Sequence, residues 1–406
     1  MEDSAKTSKA MPRALVALGG YLILITALVR LGTSLYLPAL PRMGLELNLS
    51  THQLASTMTA YLAAFAAASV LLGPLSDHWG RRVLIQGGLA VYFIGSLFCA
   101  VAEGYGLLLT GRILQAVGGS AIPVATRAMT RDAFNDRQMI GVLGWIGAIT
   151  GLAPVLAPVL GGFLTQGFGW RSNFYLLTGV TLAVGVLAHR QAPETLSLAN
   201  RMPFEISGTL RAYGAMLVTP SFMLPLMPVM ACFAVQGAYL VSSPFIFIHL
   251  LNMTPATFGA TSLLLVGALV SGRFVCMACL KRWGLYPTYV AGAALAFLGG
   301  LLFLFVLLMH WISVLAILAA SAVFCLGFGA LIPIGMKAGL SAFPARVGAA
   351  SSLFGCLTLG AAAVGSAVLG ALMERGSQDI AALAVFTFAA SLLAVLSSLL
   401  CRRQLS

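Results

Sequence analysis

Twelve apolar stretches, each close to the length a helix needs to cross a bilayer, constrain this chain more than any other feature. They run near residues 14–37, 53–72, 83–102, 106–126, 139–164, 172–189, 222–248, 257–279, 287–308, 312–336, 347–371 and 379–401. About 20 predominantly apolar residues span the hydrocarbon core as a helix. Only 8% of the 406 residues are charged and 60% are hydrophobic, whereas a soluble domain carries roughly a quarter charged residues to cover its surface. An all-α integral membrane protein with twelve transmembrane helices is expected. The 44 glycines fit that reading, because small residues let helix backbones approach where no hydrophobic effect drives their association. All seven cysteines lie in or beside apolar runs. Even the Cys276-x-x-Cys279 pair lacks an accompanying ligand set, so these thiols read as packing residues, and no metal or cofactor is expected. The first run is too long for the hydrophobic region of a secretory signal and is followed by further spans, so no cleavable signal is expected.

The longest polar stretch, 191–221, divides the chain into an N-terminal six-helix bundle over 1–190 and a C-terminal six-helix bundle over 222–406. The halves echo one another. Leu75-Ser-Asp-His-Trp79-Gly80 follows the second span, and Leu280-Lys-Arg-Trp283-Gly284 follows the eighth, about 204 residues later. Two pseudo-symmetric bundles from a duplicated unit are an arrangement transporters use. Lysine and arginine then set the orientation. Lys6, Lys9, Arg13, Arg81, Arg82, Arg131, Arg137, Arg190, Arg201, Arg211, Lys281, Arg282, Arg346, Arg402 and Arg403 fall on one face, against Arg42, Arg171 and Arg375 on the other. The positive-inside rule puts both termini and the central loop in the cytoplasm, in a multi-pass protein of the inner (cytoplasmic) membrane. The same charge suits anionic lipid headgroups and accounts for the net +12 without a nucleic-acid partner.

Local motifs add mechanism. In Gly73-Pro-Leu-Ser-Asp77-His-Trp-Gly80-Arg81-Arg82, glycines permit a tight turn between spans two and three. Asp77 is placed to accept from a neighbouring helix N-terminus, and Arg81 and Arg82 to make charge-assisted contacts, a lock that holds one conformation and releases it in another. This string resembles the signature loop of the major facilitator superfamily. Gly111-Arg112-Ile-Leu-Gln115-Ala-Val-Gly118-Gly119 resembles that family's fourth-helix motif, with Arg112 the arginine it places in the membrane. Gly147-x-x-x-Gly151-Leu-Ala-Pro154-x-x-Ala-Pro158-x-x-Gly161-Gly162 resembles the fifth-helix motif of its exporters. Those glycines thin one helix face, and each proline removes a backbone donor and bends the helix. Tyr36-Leu-Pro38-Ala-Leu-Pro41, Arg131-Asp132, Gly169-Trp170-Arg171, Pro193-Glu194-Thr195-Leu196, Ser243-Pro244-Phe245 and Ala350-Ser351-Ser352-Leu353 resemble the bicyclomycin/chloramphenicol-resistance (Bcr/CflA-type) drug:proton antiporters. The resemblance implies the major facilitator fold, alternating access, a substrate site between the halves, and export driven by protons.

The chain departs from that branch at one point. None of its eleven acids falls in the middle of an expected span, and Ser34 stands where the branch usually carries an aspartate two residues before the tyrosine. A proton-coupled exporter of cationic drugs normally needs such a carboxylate. The membrane-depth charges here are instead positive: Arg30, Arg112, Arg273 and Lys337, with Arg127 closer to a boundary, where snorkelling is the simpler reading. A carboxylate or phosphate of the substrate is the natural counter-ion for Arg30. The expected substrate site therefore comprises Arg30, Ser34, Tyr36, Tyr61, Arg112, Gln115, Gln236, Tyr239 and Lys337. The gating set comprises Gly73, Asp77, Gly80, Arg81, Arg82, Gly151, Pro154, Pro158, Gly161 and Gly162. An intramembrane enzyme would need a buried aspartate pair, a His-Glu-x-x-His helix or a Ser/His constellation, and the sequence holds none. The expectation is a monomeric secondary exporter of an anionic or acceptor-rich small molecule, such as a carboxylate metabolite or siderophore. The alternative is proton-coupled efflux of drugs of the chloramphenicol type.

Overall fold

The computed structural model describes residues 13–191, 193–201, 206–374 and 379–405. Of the residues weighed above, Glu2, Asp3, Lys6, Lys9, Pro203, Glu205 and Arg375 lie outside the described residues. Twelve long helices follow one another: α1 (Arg13–Ser34), α2 (Thr51–Trp79), α3 (Arg81–Ala100), α4 (Tyr105–Ala133), α5 (Asp136–Phe168), α6 (Arg171–Gln191), α7 (Pro220–Pro244), α8 (Pro255–Trp283), α9 (Leu285–Leu308), α10 (Val314–Ser341), α11 (Val347–Glu374) and α12 (Asp379–Leu400). Among the described residues, eleven segments are long and apolar enough to cross a membrane. The helix outside that set, α6, opens on the polar run Arg171-Ser172-Asn173 but has the length of a span. Helices suit this environment because they satisfy their own backbone groups where lipid offers none.

The helices overrun the apolar stretches because hydropathy marks the hydrocarbon core while capping chemistry marks helix ends. Ser50 and Gln53 form a reciprocal capping box at the start of α2, and Asn135 and Gln138 do the same for α5. Thr254 caps α8 ahead of Pro255, and Ser313 caps α10. At the other end, Gly80 (φ +103°) and Gly284 (φ +81°) turn the chain directly from α2 into α3 and from α8 into α9. These are the two Trp-Gly matches of the repeat. Each amide bonds the carbonyl four residues back, and each φ favours glycine.

Loop contacts fix which helix ends lie together. The Glu46 carboxylate, after α1, accepts from Trp170 Nε1 at 2.7 Å, and Arg171 Nη2 donates to the Ala102 carbonyl at 3.0 Å. The α1–α2, α3–α4 and α5–α6 connections therefore share one end, here the far side. On the opposite, terminal side, Arg81 reaches Asp132 at 3.1 Å, and Tyr286 at the start of α9 reaches the Leu399 carbonyl at 3.4 Å.

The seam between the halves is tight at the far side. Thr59 of α2 and Ser366 of α11 share a hydroxyl–hydroxyl hydrogen bond of 2.7 Å. A Cβ on Gly162 would strike the Pro255 carbonyl, and one on Gly259 would strike the Pro158 carbonyl. The main apolar core crosses here, from Leu22, Ile25 and Ile85 to Phe245, Ile246, Phe247 and Phe258, whereas a second core around Phe222, Leu226, Tyr289 and Leu331 belongs to the C-terminal half. Towards the terminal side, Gly141, Gly144, Gly147 and Gly151 on α5 and Gly348 and Gly355 on α11 have no atom within 4 Å of where a Cβ would stand.

Candidate substrate site and gating elements

Arg112 is the polar centre of the N-terminal half. It is fully buried, and its Cζ lies 4.1 Å from the ring centroids of both Tyr36 and Tyr61. Two aromatic faces on one desolvated guanidinium are worth on the order of 2 kcal/mol each. Its Nη1 donates to Gln115 Oε1 at 2.7 Å and to the Gly32 carbonyl at 3.4 Å, while Nε and Nη2 have no partner. Gln115 passes the network on, donating to Ser96 at 2.8 Å. Tyr61 shares a 3.1 Å hydrogen bond with Thr33, and the Tyr36 hydroxyl approaches Met58 Sδ at 3.5 Å. Among the described residues no carboxylate pairs with Arg112.

The close approach of α3 and α4 makes this burial possible. A Cβ on Gly118 would strike the backbone of Gly88 and Tyr92, and one on Gly111 would meet Cys99 and the Gly95 carbonyl. Four of the nine expected site residues thus come together: Tyr36, Tyr61, Arg112 and Gln115. Arg30 stands on the same turn of α1 as Gly32 and Thr33 and is half-buried. Ser34 is buried at the end of α1. Gln236 and Tyr239 lie half-buried on α7 in the other half, the Tyr239 hydroxyl buried without a partner. Lys337 is exposed near the terminal end of α10 and makes no bond among the described residues. Thr33, Ser96 and Tyr92 were missed because a hydroxyl inside an apolar run carries no periodic signal.

The signature turn is held differently from the sequence expectation. Arg81 is 3% exposed and donates to Ser76 at 2.9 Å, Asp77 at 2.5 Å and Asp132 at 3.1 Å. Asp77 is thus engaged by a side chain four residues on. The carboxylate that takes the free amides of a helix N-terminus is Glu194 of the central linker, which accepts from Arg81 N at 3.0 Å and Arg82 N at 3.2 Å. It also accepts from Leu196 N at 3.0 Å, and a Cβ on Gly80 would collide with it. Further along the linker, the helix Ile206–Leu217 docks on α11: burial raises the Tyr213 hydroxyl above its ordinary pKa, and a hydrogen bond with Ser352 opposes that shift. Of the other gating residues, Pro158, Gly161 and Gly162 sit in the far-side seam region, Gly161 against the Leu35 carbonyl. Helix α5 runs unbroken through Pro154 and Pro158. Gly73 and Gly151 face open space.

Comparisons with known proteins agree with this architecture. The family profile of the Major Facilitator Superfamily matches residues 22–366. The multidrug resistance protein MdtL of Escherichia coli O127:H6 (strain E2348/69 / EPEC) is 31% identical over 340 residues, covering 82% of this chain and 84% of that protein. MdtL of Shigella dysenteriae serotype 1 (strain Sd197) shows the same identity and coverage. Among solved structures, a peptide transporter POT superposes with a TM-score of 0.76 at 16% identity, over 95% of this chain and 94% of its own. A D-xylose–proton symporter gives 0.71 at 13% identity, over 94% and 97%. At such identities these structures speak for the fold alone.

Proposed function

This chain belongs to the major facilitator superfamily, and from that premise we propose that it exports drug-like small molecules by alternating access of its two halves. The observation that carries the reading is the asymmetry of the seam. It is bonded and backbone-close at the far side, while the α5 and α11 glycines towards the terminal side face open space. With the terminal side cytoplasmic, as the basic loops require, this is the state that loads from the cytoplasm. Likeness to proteins named for multidrug resistance supports drug-like cargo. The aromatic and amide groups of the N-terminal half supply stacking area and orientation for such cargo, and a neutral drug needs no membrane carboxylate.

A second reading rests on Arg112. A guanidinium with two unpartnered nitrogens and no carboxylate beside it favours an anionic or acceptor-rich cargo, a carboxylate metabolite or siderophore among them. Coupling to protons is part of the proposal, and its route is open to experiment. Among the described residues every carboxylate sits at a helix end or in a connection. The test is transport in proteoliposomes of ethidium, chloramphenicol and an aromatic carboxylate, with the pH gradient and the potential collapsed separately. Drug export predicts uphill movement of at least one of the first two. Equilibration without accumulation of all three would point to a channel or to another cargo.

A further inference from the structure

Arg30 has surroundings that neither lipid exposure nor core packing explains. It keeps part of its surface open, yet protein surrounds it on nearly every side, and Tyr61 and Arg127 are its charged or polar neighbours. That combination marks the wall of an internal cavity. Arg127, on α4, is likewise open but largely enclosed, and its Nε donates to the Pro123 carbonyl at 2.9 Å. Helical side chains lean towards their own N-terminus. Because α1 and α4 run in opposite directions, Arg30 leans towards the terminal side and Arg127 towards the far side, so the two guanidiniums incline towards each other. Neither pairs with a carboxylate among the described residues.

Tyr61 joins this open station to the sealed one. Its ring carries Arg112 on one face, and its hydroxyl shares the hydrogen bond with Thr33, three residues after Arg30 on the same helix face. The Gly32 carbonyl of that turn accepts from Arg112. One turn of α1, residues 30–33, therefore stands between two cations, one reachable from the cavity and one locked behind Tyr61 with two idle donors. Two enclosed positive charges without a counter-ion are costly, and an anion between them relieves that cost.

We infer that Arg30, with the Thr33–Tyr61 hydroxyl pair, is the receiving station for an organic carboxylate, that Arg127 lines its approach, and that Arg112 is the fixed charge behind it. The cargo this selects is an amphipathic monoanion, an aromatic or aliphatic body bearing one carboxylate. This deepens the second reading above and rests on the central cavity being the cargo pathway.

The probe pair is dansylglycine and its neutral amide, titrated by fluorescence against the purified full-length protein. The wild type should bind the acid roughly tenfold or more tighter than the amide, the scale of one charge-assisted hydrogen bond. Arg30→Gln should reduce that preference to less than about threefold, and Arg127→Gln should weaken it by a smaller factor. Both should leave amide affinity unchanged, which reports a folded cavity, and Lys281→Gln at the end of α8 should preserve the preference. Equal affinity for acid and amide, no saturable binding of the acid, or a preference that survives Arg30→Gln would overturn the station. Vesicle transport separates the two levels. A charge preference in binding without uphill movement of either probe upholds the station and defeats the exporter reading, while uphill movement of both without preference does the reverse.

Discussion

The two halves use one glycine framework and fill it with opposite chemistry. Gly118 of α4 packs against the Gly88 carbonyl and the Tyr92 amide of α3, and Gly327 of α10 packs against the Gly292 carbonyl and the Ala296 amide of α9. Six residues before Gly118 stands Arg112, caged by tyrosines; six before Gly327 stands Ser321, a buried hydroxyl without a partner. The large aromatic Tyr92 has the small Ala296 as its counterpart. Around α10 the core is apolar and aromatic, with Phe233 edge-on to Phe328 at 5.0 Å. Every ion pair seen among the described residues lies in the N-terminal half. Duplication thus conserved the backbone approach that lets helices pack and slide, while the charge that selects cargo stayed in one half. A rocking carrier needs both halves to close but only one to hold the polar cargo group.

The sharpest way to break that comparison is Arg112→Met. If Arg112 is functional and not structural, exchanging a half-satisfied buried cation for an apolar residue of similar length should leave stability unchanged or raise it by about 1–4 kcal/mol. Transport should fall about a hundredfold or more, a loss of roughly 3 kcal/mol in cargo stabilisation. Thermal unfolding and vesicle uptake measured on the same preparation decide it. Unfolding with loss of transport would make the cage a structural device.

Next in size is the seam. Gly162→Val puts a side chain into the Pro255 carbonyl and should cut transport about tenfold by opposing far-side closure, with overpacking of about 1–3 kcal/mol. Labelling of a cysteine introduced at Thr59 by a membrane-impermeant reagent should rise in parallel. A smaller effect is expected at the linker, where Glu194→Ala removes the acceptor for the first two amides of α3. It should cost about 1 kcal/mol, read by thermal unfolding, and slow transport only a few-fold. Smallest of all is Lys337→Gln, which touches nothing and should stay within about 0.5 kcal/mol of wild type. A large transport loss there would carry the cationic site across the seam and sharpen the comparison into a two-sided site.

The fold was legible because its determinants are local. Run length gave the spans, and a Trp-Gly pair with positive φ marked the same turn in both halves. The family motifs also placed Arg112 and Gln115 correctly on one helix, where a three-residue spacing puts them in bonding range. Less could be read where partners are distant in sequence. Asp77 was assigned the helix-end role that Glu194 fills from 113 residues beyond Arg81, since nothing in a loop composition says which helix it will cap. Arg127 read as a boundary residue because hydropathy measures depth along a helix and is blind to the cavity on one side of it. Gln236, Tyr239 and Lys337 were chosen by helix number, and the helix number does not say which face a residue occupies.

Locking the far side tests alternating access most directly. Thr59 and Ser366 touch across the seam at 2.7 Å, so the double variant Thr59→Cys, Ser366→Cys, in a background with the seven native cysteines replaced, should oxidise to a disulfide in this conformation. Vesicle transport should then fall to background and return on reduction. Transport by the fully oxidised protein at the reduced rate would contradict the account, because the halves would not need to part there.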